Sequence, residues 1–319
     1  MSSRAICAAV SFALILLAGD PAKTFADVRT VTDAHGRTVA VAEADRIVSI
    51  GGAVTEILFA LGLGDRVVAI DLTSTWPAAA RALPQVGYMR ALSPEGVLSL
   101  APDLVVAVEG SGPPDAIEVL ERASVPFVLV PEAYDAESAV RKIRFIADLL
   151  GVGEKGEEVI AAIEADLGTL ERIRARIADR RKAIFVLGMS TGAPLVAGEH
   201  TAANGIFALA GVDNALSGFT GYKPASDEAA MGAAPDAVVI MAERGHELTP
   251  EVVFAAPAFA GTPAARDGRL VALSGSYMLN FGPRTAHAAR DLIAAVYPEL
   301  AVPELPARPW TGSASASAH

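Results

Sequence analysis

Gly87-Tyr88-Met89-Arg90 sets a phenol and a guanidinium two positions apart in a polar loop. A phenolate is a hard anionic oxygen ligand, suited to a ferric ion. Free tyrosine ionises only near pH ~10, so a metal or a neighbouring cation has to favour the charged form. Arg90 is one candidate for that cation, and Arg244, just past an apolar run, is another. The alternative for Tyr88 is a ring packed at the edge of a lobe. Tyr222, in Gly221-Tyr222-Lys223-Pro224, either closes a cleft from its opposite wall or packs on a turn. Met278, Asn280, Phe281 and Arg284 share a loop that either lines such a cleft or serves packing and helix capping. Glu95 and Glu228 each stand two positions after a serine. They either cap helices or present twin carboxylates to arginines of a two-fold symmetric partner.

Other chemistries lack their residues. His35, His200, His246 and His287 are scattered, without the paired spacing of a metal site. Gly151-Val152-Gly153-Glu154-Lys155-Gly156 matches a dinucleotide fingerprint formally, but it follows a helical pattern rather than a strand. There is no Walker loop. No catalytic residue is assigned.

The elements that carry these residues repeat. Ser93, Glu95, Ala101, Pro102, Asp103, Val105 and Val106 recur as Ser226, Glu228, Ala234, Pro235, Asp236, Val238 and Val239, each 133 positions later. Each copy runs from a Gly-Tyr loop to a serine N-cap, a short helix and a proline stop. An apolar strand follows, Leu104 to Val108 or Ala237 to Met241. Two related lobes follow from this, with both Tyr loops facing the space between them. Alternating strands and helices make the fold α/β, with two Rossmann-like lobes of mostly parallel sheet. From Glu154 to Arg181 the apolar residues Ile160, Ile163, Leu167, Leu170, Ile173 and Ile177 keep helical spacing, which predicts one long helix joining the lobes.

Arg4, the apolar run Ala5 to Ala18 and the small-x-small Thr24-Phe25-Ala26 form a secretory signal cleaved near Ala26. The expected divisions are a signal at 1–26, an N-terminal lobe at 27–152, the linking helix at 153–181, a C-terminal lobe at 182–300 and a disordered tail at 301–319. Cys7 is the only cysteine and leaves with the signal, so neither a disulfide framework nor a thiolate metal site is expected. The net charge is −11 and becomes −12 once Arg4, Asp20 and Lys23 are removed, which argues against a nucleic-acid partner. A soluble, exported monomer is expected.

Val86-Gly87-Tyr88-Met89-Arg90, Leu92-Ser93-Pro94-Glu95-Gly96, Gly221-Tyr222-Lys223-Pro224 and Phe281-Gly282-Pro283-Arg284 together resemble the periplasmic proteins that deliver haem to bacterial ABC importers. The resemblance spans essentially the whole mature chain. It implies the class III, helical-backbone two-lobe fold and one cleft for ferric haem b, carried as cargo. Tyr88 would be the axial ligand, supported by Arg244, with Arg90, Tyr222, Met278 and Phe281 lining the pocket. It further implies an inner-membrane ABC haem permease docked through Glu95 and Glu228, and an outer-membrane haem receptor system upstream. Some relatives place a histidine after the first strand of the second lobe. Gly188-Met189-Ser190-Thr191-Gly192 stands there here, so Tyr88 alone is expected on the iron. A ferric siderophore or a corrinoid is the alternative cargo, and an exported enzyme the alternative class.

Overall fold

The structure is a computed structural model and describes residues 28–190, 193–243 and 248–312. The signal segment and Arg244 lie outside the described residues.

A hairpin of β1 (Arg29–Thr32) and β2 (Thr38–Val41) leads into the N-terminal lobe. There β3 (Ile47–Ile50), α1 (Gly52–Ala60), β4 (Val67–Ile70), α2 (Pro94–Leu98), β5 (Leu104–Val108), α3 (Pro114–Glu121), β6 (Phe127–Val130) and α4 (Ser138–Leu150) alternate. The sheet order is β4-β3-β5-β6, and every pairing is parallel. All residues of β3, β5 and β6 are buried, as expected of parallel strands covered on both faces.

The linking helix α5 runs Gly153–Arg174, seven residues shorter at its end than the pattern to Arg181 suggested. Val159, Ile160 and Ile163 lie in the N-terminal core, Leu170 and Ile173 in the C-terminal core, and Leu167 packs on both. One helix therefore belongs to two cores, which leaves it little freedom to bend.

The C-terminal lobe contains β7 (Lys182–Ser190), β8 (Ala193–Ala197), α6 (Ala202–Ala210), β9 (Asp213–Asn214), β10 (Tyr222–Pro224), α7 (Asp227–Gly232), β11 (Ala237–Met241), α8 (Pro250–Ala255), α9 (Pro263–Arg266), β12 (Leu270–Leu273), α10 (Gly275–Leu279) and α11 (Thr285–Val296). Strands β9, β7, β11 and β12 pair in parallel, while β8 and β10 add an antiparallel edge. Along β7 and β11 the side chains alternate between two cores. Ala183, Phe185, Ala237 and Val239 face one, and Ile184, Val186, Val238 and Ile240 face the other.

The repeat has a structural cause. Asp103 accepts from the amides of Asp45 and Arg46 at 3.1 and 3.0 Å, and Asp236 accepts from the Lys182 amide at 2.9 Å. Each aspartate ties the start of its strand to the start of the neighbouring one. Ala101 and Ala234, just before, both take φ +47.

The tail departs from expectation. Over 301–312 it packs instead of leaving the surface. Arg308 pairs with buried Asp166 on α5, Trp310 lies against the N-terminal core, and Trp76 donates to the Trp310 carbonyl at 2.8 Å. Indole and guanidinium anchors hold it, a pattern that proline-rich composition conceals. Residues 313–319 lie outside the described residues.

Candidate functional site

The carboxyl ends of parallel strands expose backbone and loops where α/β lobes bind ligands. Residues 131–135 after β6, 242–243 after β11 and 274–284 after β12 occupy those ends here. The 71–92 segment between β4 and α2 brings Tyr88 there, with Leu72 N–H bonded to the Gly87 carbonyl at 2.9 Å. Gly87 has φ +96, and Gly221 before Tyr222 has φ +82, so both Tyr segments begin on a turn open to glycine.

Tyr88 is 41% exposed, and its hydroxyl accepts a hydrogen bond from Arg90 Nη1 at 2.8 Å. Arg90 is also exposed, and its charge acts on the phenols of Tyr134 and Tyr222. The charge of Arg90 therefore reaches from the Tyr88 loop of one lobe to the β10 edge of the other. Tyr222 lies on a strand rather than in a loop, paired with Ala197 of β8. Proline normally argues against a strand, but Pro224 sits on the sheet edge, where no ladder donor is needed. Burial pushes the Tyr222 phenol up to about 12, helped by Tyr134 and opposed by Arg90 and by the nearby Thr201 hydroxyl. At neutral pH it is a proton donor.

Two expected pocket residues lie inward. Met278 and Phe281 are each only 1% exposed and belong to the C-terminal core. The apolar character that suggested a pocket wall instead filled the interior. Phe281 still reaches the site indirectly, through an edge contact with Tyr134 at 5.6 Å.

Glu95 and Glu228 are both exposed, on the first turns of α2 and α7. Ser93 accepts from the Gly96 amide at 3.3 Å and Ser226 from the Ala229 amide at 3.2 Å. The serines supply the caps, which leaves the glutamates turned out from equivalent positions. Glu228 is held below the usual carboxylate range by its own backbone amide and by the Ser226 hydroxyl.

Sequence reasoning missed Tyr134 and the bonds behind the cleft. Glu56 of α1 holds Arg284 by two bonds of 2.9 and 2.7 Å and accepts from Asn280 at 3.1 Å. Lys142 of α4, 1% exposed, bonds to Glu132 at 2.6 Å and to the Asn280 carbonyl at 3.0 Å. Burial lowers the Lys142 pKa and raises that of Glu132, each opposed by the other's charge. A glutamate inside the apolar run of α1 and a lysine among the apolar residues of α4 were the available signals, since such charges are buried only with partners.

The profile of the periplasmic binding protein family matches residues 47–277. A solved periplasmic haem-binding protein, BhuT, in complex with two haems, superposes with a TM-score of 0.76. It is 40% identical, and the match covers 80% of this chain and 99% of that one. An uncharacterised ABC transporter substrate-binding lipoprotein of Bacillus subtilis (strain 168), YvrC, is 28% identical over 94% of this chain and 99% of its own length. The vitamin B12-binding protein of Pectobacterium atrosepticum is 25% identical over 64% of this chain and 74% of its own length.

Proposed function

The chain belongs to the periplasmic binding protein family, and on that premise we propose that it binds ferric haem between its lobes and delivers it to an ABC importer. The observation that carries this reading is the Arg90–Tyr88 hydrogen bond at the cleft. A guanidinium donating to a phenol oxygen favours the phenolate, and a phenolate favours ferric over ferrous iron. Tyr88 is then the axial ligand, while Tyr222, whose proton is held by burial, serves as a donor on the opposite lobe. Arg244 is proposed as a further cation of the cleft. Haem is cargo here, and no catalytic step is assigned. Export with cleavage near Ala26, and docking of the permease at Glu95 and Glu228, complete the proposal.

Titration of the mature protein with ferric haem, beside Tyr88→Ala, tests it. A saturable high-spin ferric spectrum with a tyrosinate charge-transfer band, lost in the variant, is the expected result. Binding unaltered by the substitution would reject Tyr88 as ligand. The similarity to vitamin B12-binding proteins supports a corrinoid as the second reading. Saturable binding of cyanocobalamin without binding of haem would replace the first reading with the second.

A further inference from the structure

Tyr134 stands four residues beyond the carboxyl end of β6 and is 36% exposed. Its position is built by both lobes. In α6, across the lobe boundary, Gly205 leaves the space that Tyr134 fills. A Cβ there would collide with the Tyr134 carbonyl oxygen and lie 2.7 Å from Tyr134 Cβ and 2.8 Å from Phe281 Cζ. Phe281 then meets the Tyr134 ring edge-on, with the planes at 63°. Tyr222 pairs with Ala197, four residues before Thr201, the N-cap of the same helix, and rests edge-on against Phe185 at 6.3 Å. Two half-exposed phenols thus stand near one helix, each backed by a buried phenylalanine.

We propose that Tyr134 is a specificity-determining residue of the cleft, forming with Tyr222 an aromatic surface against which a planar tetrapyrrole lies. The inference rests on the haem reading and adds to it the basis for choosing among macrocycles. Ligation by Tyr88 recognises iron and is blind to the ring that carries it. A porphyrin offers flat apolar faces, which aromatic edges and faces contact favourably. A corrinoid is puckered, with both faces guarded by axial groups, and gains little from such a surface.

Metal-free protoporphyrin IX isolates the ring contact from ligation. In fluorescence titrations of the full mature chain, Tyr134→Leu weakens protoporphyrin binding about 3- to 10-fold. Tyr134→Phe, which keeps the ring, recovers most of that loss. With ferric haem, Tyr134→Leu retains the tyrosinate band while its affinity falls by a similar factor. Unchanged protoporphyrin affinity in Tyr134→Leu, or no recovery in Tyr134→Phe, overturns the inference. Should Tyr134→Leu fail to fold, Tyr134→Met removes the ring while keeping a long apolar side chain. Lost affinity there supports the inference, and retained affinity overturns it. An unaltered protein that binds cyanocobalamin but neither porphyrin overturns the haem reading itself, and this assignment with it.

Discussion

Two tyrosines illustrate how far a side chain's chemistry is set by its neighbours. Tyr88 accepts a hydrogen bond from Arg90, and burial raises the pKa of Tyr222 against the pull of the same charge. For Tyr222 the consequence is measurable. Its pKa is about 12 in the folded protein and ~10 in an unfolded chain. Between those values the folded state keeps a proton that the unfolded state has released. Its contribution to stability is therefore present below pH ~10 and is lost as pH rises through the folded value. Urea midpoints of Tyr222→Phe should fall less steeply than those of the unaltered protein from pH ~10 to 12. Parallel pH profiles would show that the phenol is as hydrated as in the unfolded chain.

At the scale of elements, the twin helices α2 and α7 carry the docking proposal. Both are short, both start on a serine cap, and both present a glutamate from the first turn. With Glu95→Gln or Glu228→Gln, association with the permease should weaken roughly tenfold or more for each if the carboxylates meet arginines in a desolvated contact. Haem affinity should stay constant. Undiminished haem uptake by the double variant would show that the glutamates are only solvated helix tips. These helices, the strands β5 and β11, and α5 were legible because periodicity, capping and the Ala-Pro-Asp repeat are local signals. The β8–β10 edge was not legible, because Pro224 disguises a strand whose pairing depends on a distant partner. The burial of Met278 and Phe281 was not legible for a related reason. Apolar residues in a loop look alike in sequence whether they line a cleft or fill a core, and only the position of α11 and α6 decides.

For the whole molecule, the lobes are joined by far more than α5. Glu56, Arg284, Asn280, Lys142 and Glu132 form a polar cluster across the boundary, and Arg284 also lies 4.6 Å over Trp76 and 5.0 Å over Tyr277. The tail adds a second crossing, from Leu300 and Val302 on the C-terminal core to Trp310 on the N-terminal core. Arg284→Met should cost about 3–5 kcal/mol, because it leaves the Glu56 carboxylate buried without its counter-ion. Pairing it with Glu56→Gln should recover part of that cost. Chemical denaturation of the single and double variants tests this, and strictly additive losses would show that the two residues act separately. So many ties limit lobe opening, which fits cargo release driven by the permease. The common φ of +47 at Ala101 and Ala234 bears on the molecule's history. Glycine would occupy that left-handed angle at lower cost, and a β-carbon there is an uncommon choice. Lobes of separate ancestry would have no reason to make it twice, whereas a doubled gene inherits it. The boundary between the lobes is then the seam of an ancient duplication, and Glu95 and Glu228 stand at one ancestral position kept in two copies.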